Sequence, residues 1–292
     1  PQPLLTKEEY IHRVNALQEH IRRGDCYEIN FCQQYRAQDA RIDPVAVFQS
    51  LLQQSPTPFA GLYRVNECWL ISSSPERFLK KEGLHIWSQP MKGTISRGRN
   101  VEEDEQQKHT LATSEKDKAE NVMVVDLVRN DLSQVCRPGS VTVEELFGLY
   151  PFPKVHQMVS TVKGVLRDDV SFAQIIEATF PMGSMTGAPK ISVMKLIDRY
   201  EPAARGIFSG ALGYLHRNNF DFNVVIRSIS YHQQLQQLSF GVGSGITAYS
   251  NAEKEWEECE LKAEVIKKVL QEGLQHGVVN LGKINLSGTS QQ

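Results

Sequence analysis

The sequence predicts an α+β fold in which blocks of antiparallel β-strands alternate with amphipathic helices. Two blocks of short β-like runs, at about residues 59–95 and 210–246, are interrupted by Asn, Ser, Pro and Gly, which is typical of strands joined by tight turns. Stretches before, between and after these blocks carry apolar residues at helical spacing. The 292 residues suffice for one large domain or two, and a globule of this size buries about 75% of its unfolded surface.

The first elements have clear start and stop signals. A helix is expected over about residues 6–23, because Thr6 and Glu9 have the spacing of a capping box and Gly24 follows the last apolar position. A strand-like run at residues 27–31 comes next, and a short helix at residues 44–52 begins with a proline. The chain is therefore expected to start inside a folded element, without a signal peptide.

The middle of the chain combines the first β-block with a long helical region. Three β-like runs are predicted at residues 62–65, 68–71 and 84–87, and Lys92 is expected in a turn that follows them. Residues 100–132 have a helical pattern that is highly charged at first and turns apolar at Val122. Pro189 is expected at the first position of a further helix.

The second β-block contains three strand candidates, separated at residues 217–219 and 233–234. A helix then extends to about residue 270, and Ser250 with Glu253 is predicted to form its capping box. The pattern supports one catalytic domain over residues 1–270 and a polar tail over residues 271–292.

Composition excludes several classes of protein. The net charge is −2 with both signs interspersed, which argues against a nucleic-acid partner. No apolar run approaches the roughly 20 residues of a membrane span, so no membrane partner is expected. The five cysteines are odd in number and lack metal-ligand spacing, which favours reduced thiols in the cytoplasm.

Three charged residues near the end of the chain suggest a metal and anion site. Glu255, Glu258 and Lys262 share one face of the predicted helix, although the same residues also suit a solvated helix face. The preceding strand places Gly243 and Gly245 where bare backbone N–H groups can approach an anion. Carboxylates beside an anion site repel the anion unless a cation lies between them, so a hard divalent ion, Mg²⁺, is expected.

A series of motifs gives the chain a recognisable order. They are Gly24-Asp25-x-Tyr27-x-Ile29-Asn30, Ser74-Pro75-Glu76, Pro90-Met91-Lys92-Gly93-Thr94, Ala119-Glu120-Asn121, Asp126-Leu127-x-Arg129-Asn130-Asp131-Leu132, Thr186-Gly187-Ala188-Pro189-Lys190, Arg205-Gly206-x-x-Ser209-Gly210, Asn223-x-x-Ile226-Arg227 and Gly243-Ser244-Gly245-Ile246. In this order and spacing, over about residues 6–270, the chain resembles the catalytic domain of the chorismate-utilising enzymes. The resemblance implies two large antiparallel sheets packed as a sandwich, with helices outside and the active site between the sheets.

The resemblance also implies roles for individual residues. Glu120 and Glu258 are expected to ligate Mg²⁺, with Glu255 close by through water. Glu76 is expected to be the general acid that protonates the departing 4-hydroxyl of chorismate, which requires a raised pKa. Arg227 is expected to bind the enolpyruvyl carboxylate. The remaining contacts to substrate are expected from Gly243, Gly245, Thr186 and Lys262.

Lys92 is the residue that the resemblance makes decisive for the chemistry. A lysine before Gly-Thr marks the aminodeoxychorismate-forming members of the family, in which its amine attacks ring carbon 2 before ammonia displaces it. At an ordinary pKa only about one lysine in 2,500 is neutral at pH 7, a penalty of about 4.6 kcal/mol, and burial is expected to remove most of it. Glu28 stands where the isochorismate-forming members need a lysine that activates water, so water is not the expected nucleophile.

Two positions depart from the family pattern. Gln157 stands where a histidine is usual, and it can donate a hydrogen bond to substrate but cannot carry a proton; the neighbouring His156 is an alternative. Phe208 stands where a tyrosine often contacts the pyruvyl carboxylate, so Arg227 is expected to bear more of that binding.

The function that the resemblance implies is Mg²⁺-dependent amination of chorismate to 4-amino-4-deoxychorismate, on the route to para-aminobenzoate and folate. No glutaminase motif is present, so a glutamine amidotransferase subunit is the expected ammonia donor. One alternative is an anthranilate-forming enzyme, and a second is a non-catalytic chorismate-binding subunit.

Overall fold

Two seven-stranded antiparallel sheets form the centre of the structure, a computed structural model that describes residues 1–281. In chain order the strands are β1 (Gln2–Pro3), β2 (Glu28–Ala37), β3 (Ala40–Ile42), β4 (Phe59–Val65), β5 (Cys68–Ser74), β6 (Arg77–Glu82), β7 (His85–Gln89), β8 (Met91–Ser96), β9 (Thr142–Pro151), β10 (Val155–Val165), β11 (Gly187–Ala188), β12 (Ala211–His216), β13 (Asn219–Val224), β14 (Ser228–His232), β15 (Gln237–Ile246) and β16 (Val279–Leu281).

The strand orders of the sheets are not sequential along the chain. The first sheet runs β1-β2-β15-β14-β5-β4, with β11 also paired to β2. The second sheet runs β12-β13-β6-β7-β10-β8, with β9 also paired to β10, and β16 pairs with β3 in a separate ribbon. The long β2–β15 pairing, from Leu238 opposite Ala37 to Ile246 opposite Ile29, brings the Gly-rich strand beside the start of β2.

Seven α-helices lie among the described residues. They are α1 (Lys7–Arg23), α2 (Pro44–Gln54), α3 (Val101–Thr113), α4 (Glu115–Ser133), α5 (Phe172–Thr179), α6 (Lys190–Tyr200) and α7 (Ala252–Gln275), with a short 3₁₀ turn at Gly183–Met185. The predicted capping box of α1 is confirmed, because Thr6 accepts a hydrogen bond from the Glu9 N–H while the Glu9 carboxylate accepts one from Thr6 N–H. No helix of residues 1–281 combines the length and apolar character that a bilayer crossing requires.

Each sheet has its own apolar core. The first sheet packs against α1, α2, α6 and α7 through residues such as Tyr10, Leu51 and Ile266. The second sheet packs against α4 and α5 through residues such as Val128 and Ile175. The sheets also contact each other, since the Asn223 side chain donates a hydrogen bond to the Phe59 carbonyl at 2.8 Å. The predicted α+β class with two large antiparallel sheets is confirmed.

Several local predictions were wrong for identifiable reasons. Lys92 lies inside β8 and not in a turn, because residues 91–96 complete the edge of the second sheet against β10. The helical region at residues 100–132 is two helices, since Ser114 caps the start of α4 and accepts a hydrogen bond from Asp117 N–H. Asn251, not Ser250, caps α7, and the Ser250 hydroxyl instead accepts a hydrogen bond from Thr247 N–H.

The strand count was also too low. Strands β6, β8, β9 and β10 were missed, and the second β-block contains four strands where three were expected. Helix α6 begins at Lys190, one residue after Pro189. The predicted boundary at residue 270 falls inside α7, and β16 shows that part of the expected tail is folded. The rest of the tail, residues 282–292, lies outside the described residues.

Candidate active site

An ion pair between the two sheets marks the candidate site. Lys92 extends from β8 of the second sheet, and its Nζ donates a hydrogen bond of 2.7 Å to Oε1 of Glu28, the first residue of β2. The two side chains are 12% and 3% exposed. The pair is therefore nearly removed from water, where an ammonium and a carboxylate interact far more strongly than at the surface.

Gly245 leaves the space that this ion pair occupies. A Cβ atom at Gly245 would lie 2.9 Å from Glu28 Oε1 and 3.0 Å from Lys92 Nζ, so any side chain there would displace the pair. At Gly243, two residues earlier on β15, a Cβ would lie 2.5 Å from the Asn30 side-chain oxygen. Glycine at both positions therefore leaves room for neighbouring side chains, and the approach of their N–H groups to an anion stays a prediction.

The pKa of Lys92 is raised, contrary to expectation. Burial alone would lower it, but the charges of Glu28 and Glu120, the hydrogen bond to Glu28 and the charge of Glu76 outweigh burial. The expectation that burial removes most of the penalty for a neutral amine is therefore wrong. The carboxylates around Lys92 keep it an ammonium, so the amine needs a proton acceptor before it can act as a nucleophile.

Glu76 is buried between β5 and β6, and its carboxyl is held near its ionisation point. Burial raises the pKa of Glu76 to about 7, against the opposing effects of the Ser184 side chain, the Lys92 charge and the Met91 backbone. The expected direction of this shift is confirmed. A carboxyl with this pKa is protonated in a large fraction of molecules at neutral pH and can serve as an acid there.

Three carboxylates from α4 and α7 surround one lysine. Lys116 Nζ lies 3.7 Å from Glu120 Oε1 and 4.0 Å from Glu255 Oε1, and Glu258 adds its charge to the same ammonium. Glu255 is fully buried, and Glu120 Oε1 is buried without a hydrogen-bond partner among residues 1–281. A cation is thus already shared between helices α4 and α7.

Glu258 is the most exposed of the three carboxylates, at 42%. Burial opposes its ionisation, but Lys262, at 2.6 Å, together with Lys116 and Lys92 outweighs burial, so the pKa of Glu258 is lowered. Lys262 also donates a hydrogen bond of 2.7 Å to the Gly243 carbonyl, which ties α7 to the Gly-rich strand. In the described part of the chain no three His, Cys, Asp or Glu side chains converge closely enough to form a ready-made metal cage.

These residues nevertheless fit a divalent cation. Glu120 Oε1 is buried without a hydrogen-bond partner among residues 1–281, and Glu120 and Glu255 both lie within 4.0 Å of one ammonium nitrogen. Oxygen donors of this kind are the ligands that Mg²⁺ prefers, and a small rotation of exposed Lys116 would free them.

The Arg227 guanidinium has no partner among residues 1–281. Burial lowers its pKa, and within residues 1–281 its side chain makes no hydrogen bond or ion pair. Its backbone has a φ of +49°, an uncommon conformation for a non-glycine residue that surrounding contacts must hold. Phe208 is buried, and its ring packs where a Cβ of Gly241 would lie, so Phe208 fills space and offers no polar contact.

Thr186 and Gln157 are both buried, and both are already hydrogen-bonded. The Thr186 hydroxyl donates to the Met182 carbonyl at 3.0 Å. Gln157 Oε1 accepts a hydrogen bond of 3.2 Å from the Thr94 hydroxyl, two residues from Lys92. His156 cannot take over from Gln157, because its side chain points to the other face of β10 and binds Asp104 at 3.0 Å.

Three residues of the candidate site were not predicted from the sequence in the roles that the structure gives them. They are Glu28, which contacts Lys92, and Lys116 and Ser184, which contact Glu120 and Glu76. The four-residue spacing of Lys116 and Glu120 on a helix could have indicated their contact. The Glu28–Lys92 and Ser184–Glu76 contacts join residues 64 and 108 positions apart, and no local pattern indicates them.

Known proteins resemble this chain over most of its length. The family described as chorismate binding enzyme matches residues 1–268. Component 1 of aminodeoxychorismate synthase from Salmonella typhimurium is 40% identical over 255 residues, which is 87% of this chain and 56% of that protein. The chloroplastic aminodeoxychorismate synthase of Arabidopsis thaliana is 42% identical over 265 residues, which is 89% of this chain and 28% of that protein. The chain thus spans about half the length of the bacterial relative.

Solved structures share the fold. Anthranilate synthase component I from Streptococcus pneumoniae superposes with a TM-score of 0.82 at 28% identity, covering 91% of this chain and 58% of that one. The menaquinone-specific isochorismate synthase of Escherichia coli superposes with a TM-score of 0.80 at 19% identity, covering 92% of this chain and 62% of that one. The second likeness concerns the fold alone.

Proposed function

This chain belongs to the chorismate binding enzyme family, and we propose on that basis that it aminates chorismate to 4-amino-4-deoxychorismate through a covalent bond to Lys92. The observation that carries the proposal is the Lys92 ammonium, held between the sheets with the acid Glu76 facing it. The aminodeoxychorismate synthases to which the chain is similar support the choice of product.

Lys92 and Glu76 divide the first chemical step. The neutral Lys92 amine forms a bond to ring carbon 2 of chorismate, the ring double bonds shift, and the bond from carbon 4 to its hydroxyl breaks. Glu76 gives its proton to this hydroxyl, which leaves as water, and a pKa of about 7 suits that transfer. In the second step ammonia attacks carbon 4, the bond from Lys92 to carbon 2 breaks, and the new ammonium at carbon 4 gives one proton to the Glu76 carboxylate. Glu76 is then an acid again, and the sum is chorismate plus ammonia to product plus water.

Mg²⁺ belongs to the proposal as the ion that Glu120 and Glu258 would hold, with Glu255 close by. When bound, it would supply a positive charge that offsets the ring carboxylate of the substrate among these acids. Glu120 and Glu255 contribute buried oxygens, and Lys262 fixes Glu258 at 2.6 Å.

Residues between the two sheets are proposed to orient the substrate. The unpartnered Arg227 guanidinium suits a fork of two hydrogen bonds onto the enolpyruvyl carboxylate. Because Gly243 and Gly245 lack side chains, the ring would lie close to β15, and Thr186, Lys262 and Gln157 would lie at its edge.

The proposed ammonia source is a glutamine amidotransferase subunit. The name component 1, carried by the Salmonella typhimurium relative, supports a second subunit. The five cysteines are free thiols, in keeping with a reducing compartment, and the cytoplasm is the proposed location.

Anthranilate formation is the second candidate, because the structure of anthranilate synthase component I covers 91% of this chain. Incubation of the protein with chorismate, Mg²⁺ and ammonium, followed by mass identification of the product, separates the two. Formation of 4-amino-4-deoxychorismate with retention of the enolpyruvyl group supports the proposal. Release of pyruvate with an aromatic amine would show that the second candidate is correct.

A further inference from the structure

The Glu28 carboxylate has one hydrogen-bond partner within the described residues, and that partner is the reacting amine of Lys92. Its Oε1 lies 2.7 Å from Lys92 Nζ, while its Oε2 is buried with no partner among residues 1–281. Burying Glu28 with only one oxygen hydrogen-bonded is costly if this carboxylate serves only as a structural counter-ion. Its second oxygen has lost water without gaining a donor among residues 1–281.

The proposed chemistry leaves one proton transfer unassigned. Lys92 is an ammonium in the ligand-free site and must lose a proton before its lone pair can form a bond. When Lys92 later leaves ring carbon 2, it needs that proton again. A group that takes the proton in one step and returns it in the other would satisfy both needs.

The acidic groups that face Lys92 come from four elements. They are Glu28 on β2, Glu76 between β5 and β6, Glu120 on α4 and Glu258 on α7. Glu76 is assigned to the departing hydroxyl, and Glu120 and Glu258 are assigned to the cation. Glu28 is the one of these four that makes a direct hydrogen bond to Lys92 Nζ.

We infer that Glu28 is the proton acceptor and donor of Lys92 in the amination that the preceding section proposes, on which this inference rests. In the first step a proton passes from Lys92 Nζ to Glu28 Oε1, giving a neutral amine and a neutral carboxyl. The amine then bonds to carbon 2. In the second step the carboxyl returns the proton as the bond between Lys92 and carbon 2 breaks, so Glu28 ends each cycle ionised.

A purely structural counter-ion makes a different prediction. Such a carboxylate stabilises the ammonium form of Lys92, so its removal would increase the fraction of neutral amine and speed the attack. A proton acceptor has the opposite effect, because its removal leaves the amine without a group to deprotonate it. The sign of the change in rate therefore separates the two roles.

The experiment measures the rate of Lys92 adduct formation by intact-protein mass, with chorismate and Mg²⁺ but without ammonia, from pH 7 to 9. Glu28→Gln keeps an oxygen that can accept the Lys92 hydrogen bond but cannot hold its proton. We expect adduct formation to slow by about 100-fold or more at pH 7. The ratio of wild-type to variant rate should shrink as the pH rises, because solvent deprotonates Lys92 increasingly often; taking the ratio removes the titration of Glu76, which both proteins share.

Glu82→Gln is the matched control. It removes a carboxylate that pairs with Lys80 at the same distance of 2.7 Å, on the exposed end of β6, and should leave the adduct rate unchanged. Glu28→Asp, which retains a proton acceptor, should show a smaller loss and a ratio that does not vary with pH. Chorismate binding and the thermal unfolding midpoint of each variant report whether the site is intact.

An equal or faster rate in Glu28→Gln, or a loss of the same size at every pH, would overturn the assignment of Glu28 while leaving the proposed function standing. If Glu28→Gln does not fold, the Glu28→Asp variant decides, since a ratio that varies with pH there contradicts the inference. Absence of any adduct in the wild-type protein would overturn both the covalent mechanism and the role of Glu28.

Discussion

Lys116 Nζ lies 3.7 Å from Glu120 Oε1, one turn away on the same helix. The same ammonium is 4.0 Å from Glu255 Oε1 on α7, so a protein cation lies between one carboxylate that is proposed to bind Mg²⁺ and one that is proposed to lie close to the ion. Lys116 is 63% exposed and can move away at little cost.

Removal of this lysine is expected to strengthen Mg²⁺ binding. In Lys116→Gln the two carboxylates repel each other without compensation, so we expect a several-fold lower dissociation constant in a calorimetric titration with Mg²⁺. Lys118→Gln is the control, because Lys118 lies 3.7 Å from Glu115 in a comparable contact of the same helix. Weaker Mg²⁺ binding in Lys116→Gln than in the control would show that Lys116 does not compete with the ion.

The three carboxylates should contribute unequally to Mg²⁺ affinity. Glu120→Gln or Glu258→Gln removes a charged oxygen ligand and should lower Mg²⁺ affinity by about an order of magnitude or more, while Glu255→Gln should be milder. Titration of chorismate binding against Mg²⁺ measures this effect. Equal metal dependence in the wild type and the Glu258 variant would refute the site, and an equally large loss in Glu255→Gln would make that buried residue a direct ligand.

Glu76 should leave a signature in both stability and activity. Its pKa is about 7 in the folded protein, so between about pH 5 and 7 the folded state holds a proton that the unfolded state has lost. The free energy of unfolding should therefore fall as the pH rises over this range, by about 2 kcal/mol in total. Glu76→Gln should lack this contribution in denaturant titrations at several pH values.

The raised pKa of Glu76 should also shape the pH dependence of activity. Because the acid form of Glu76 donates the proton, kcat/KM should decline as the pH rises above about 7. Asp131, whose pKa is raised to about 6, also contributes to the pH dependence of unfolding in both proteins. Only the difference in that pH dependence between the wild type and Glu76→Gln is therefore assigned to Glu76. Identical pH dependence of unfolding in the two proteins would contradict a raised pKa at Glu76.

Gln157 is expected to position the substrate ring without carrying a proton. Gln157→His should change turnover by less than about tenfold and add little pH dependence, because glutamine already offers a donor of similar reach. Gln157 lies on β10, and its hydrogen bond of 3.2 Å with Thr94 ties it to β8, the strand that carries Lys92. A new ionisation near pH 6.5, or substantial aromatic product from this variant when the wild type makes none, would instead indicate proton transfer at this position.

The parts of the fold that the sequence predicted are those with strong local signals. The capping box at Thr6 and Glu9 and the proline at residue 44 each predicted a helix start that the structure contains. The polar turns at residues 217–219 and 233–234 separate strands as expected. Strands β9 and β10 were missed because they alternate little along their length and are defined by pairing: β9 pairs with β10, which also pairs with β7 and β8.

The electrostatics of the candidate site could not be predicted from the sequence. The motifs predicted Lys92, Glu76 and Glu120 as site residues, and in the structure the charges of Glu76 and Glu120 both act on Lys92. The expectation of a neutral Lys92 failed because pKa values depend on charges brought together from distant strands and helices. Glu28, 64 residues from Lys92 in the chain, reverses the effect of burial, and only the pairing of the sheets reveals it.

The intact mass of the protein after incubation with chorismate and Mg²⁺ in the absence of ammonia tests the central claim most directly. The account predicts an adduct of chorismate less one water on Lys92, which disappears with formation of 4-amino-4-deoxychorismate when ammonium is added. Lys92→Ala should form no adduct and no product, yet bind chorismate within a few-fold of the wild type, since a nucleophile acts on the barrier more than on ground-state affinity. Full aminating activity in Lys92→Ala would contradict the covalent mechanism.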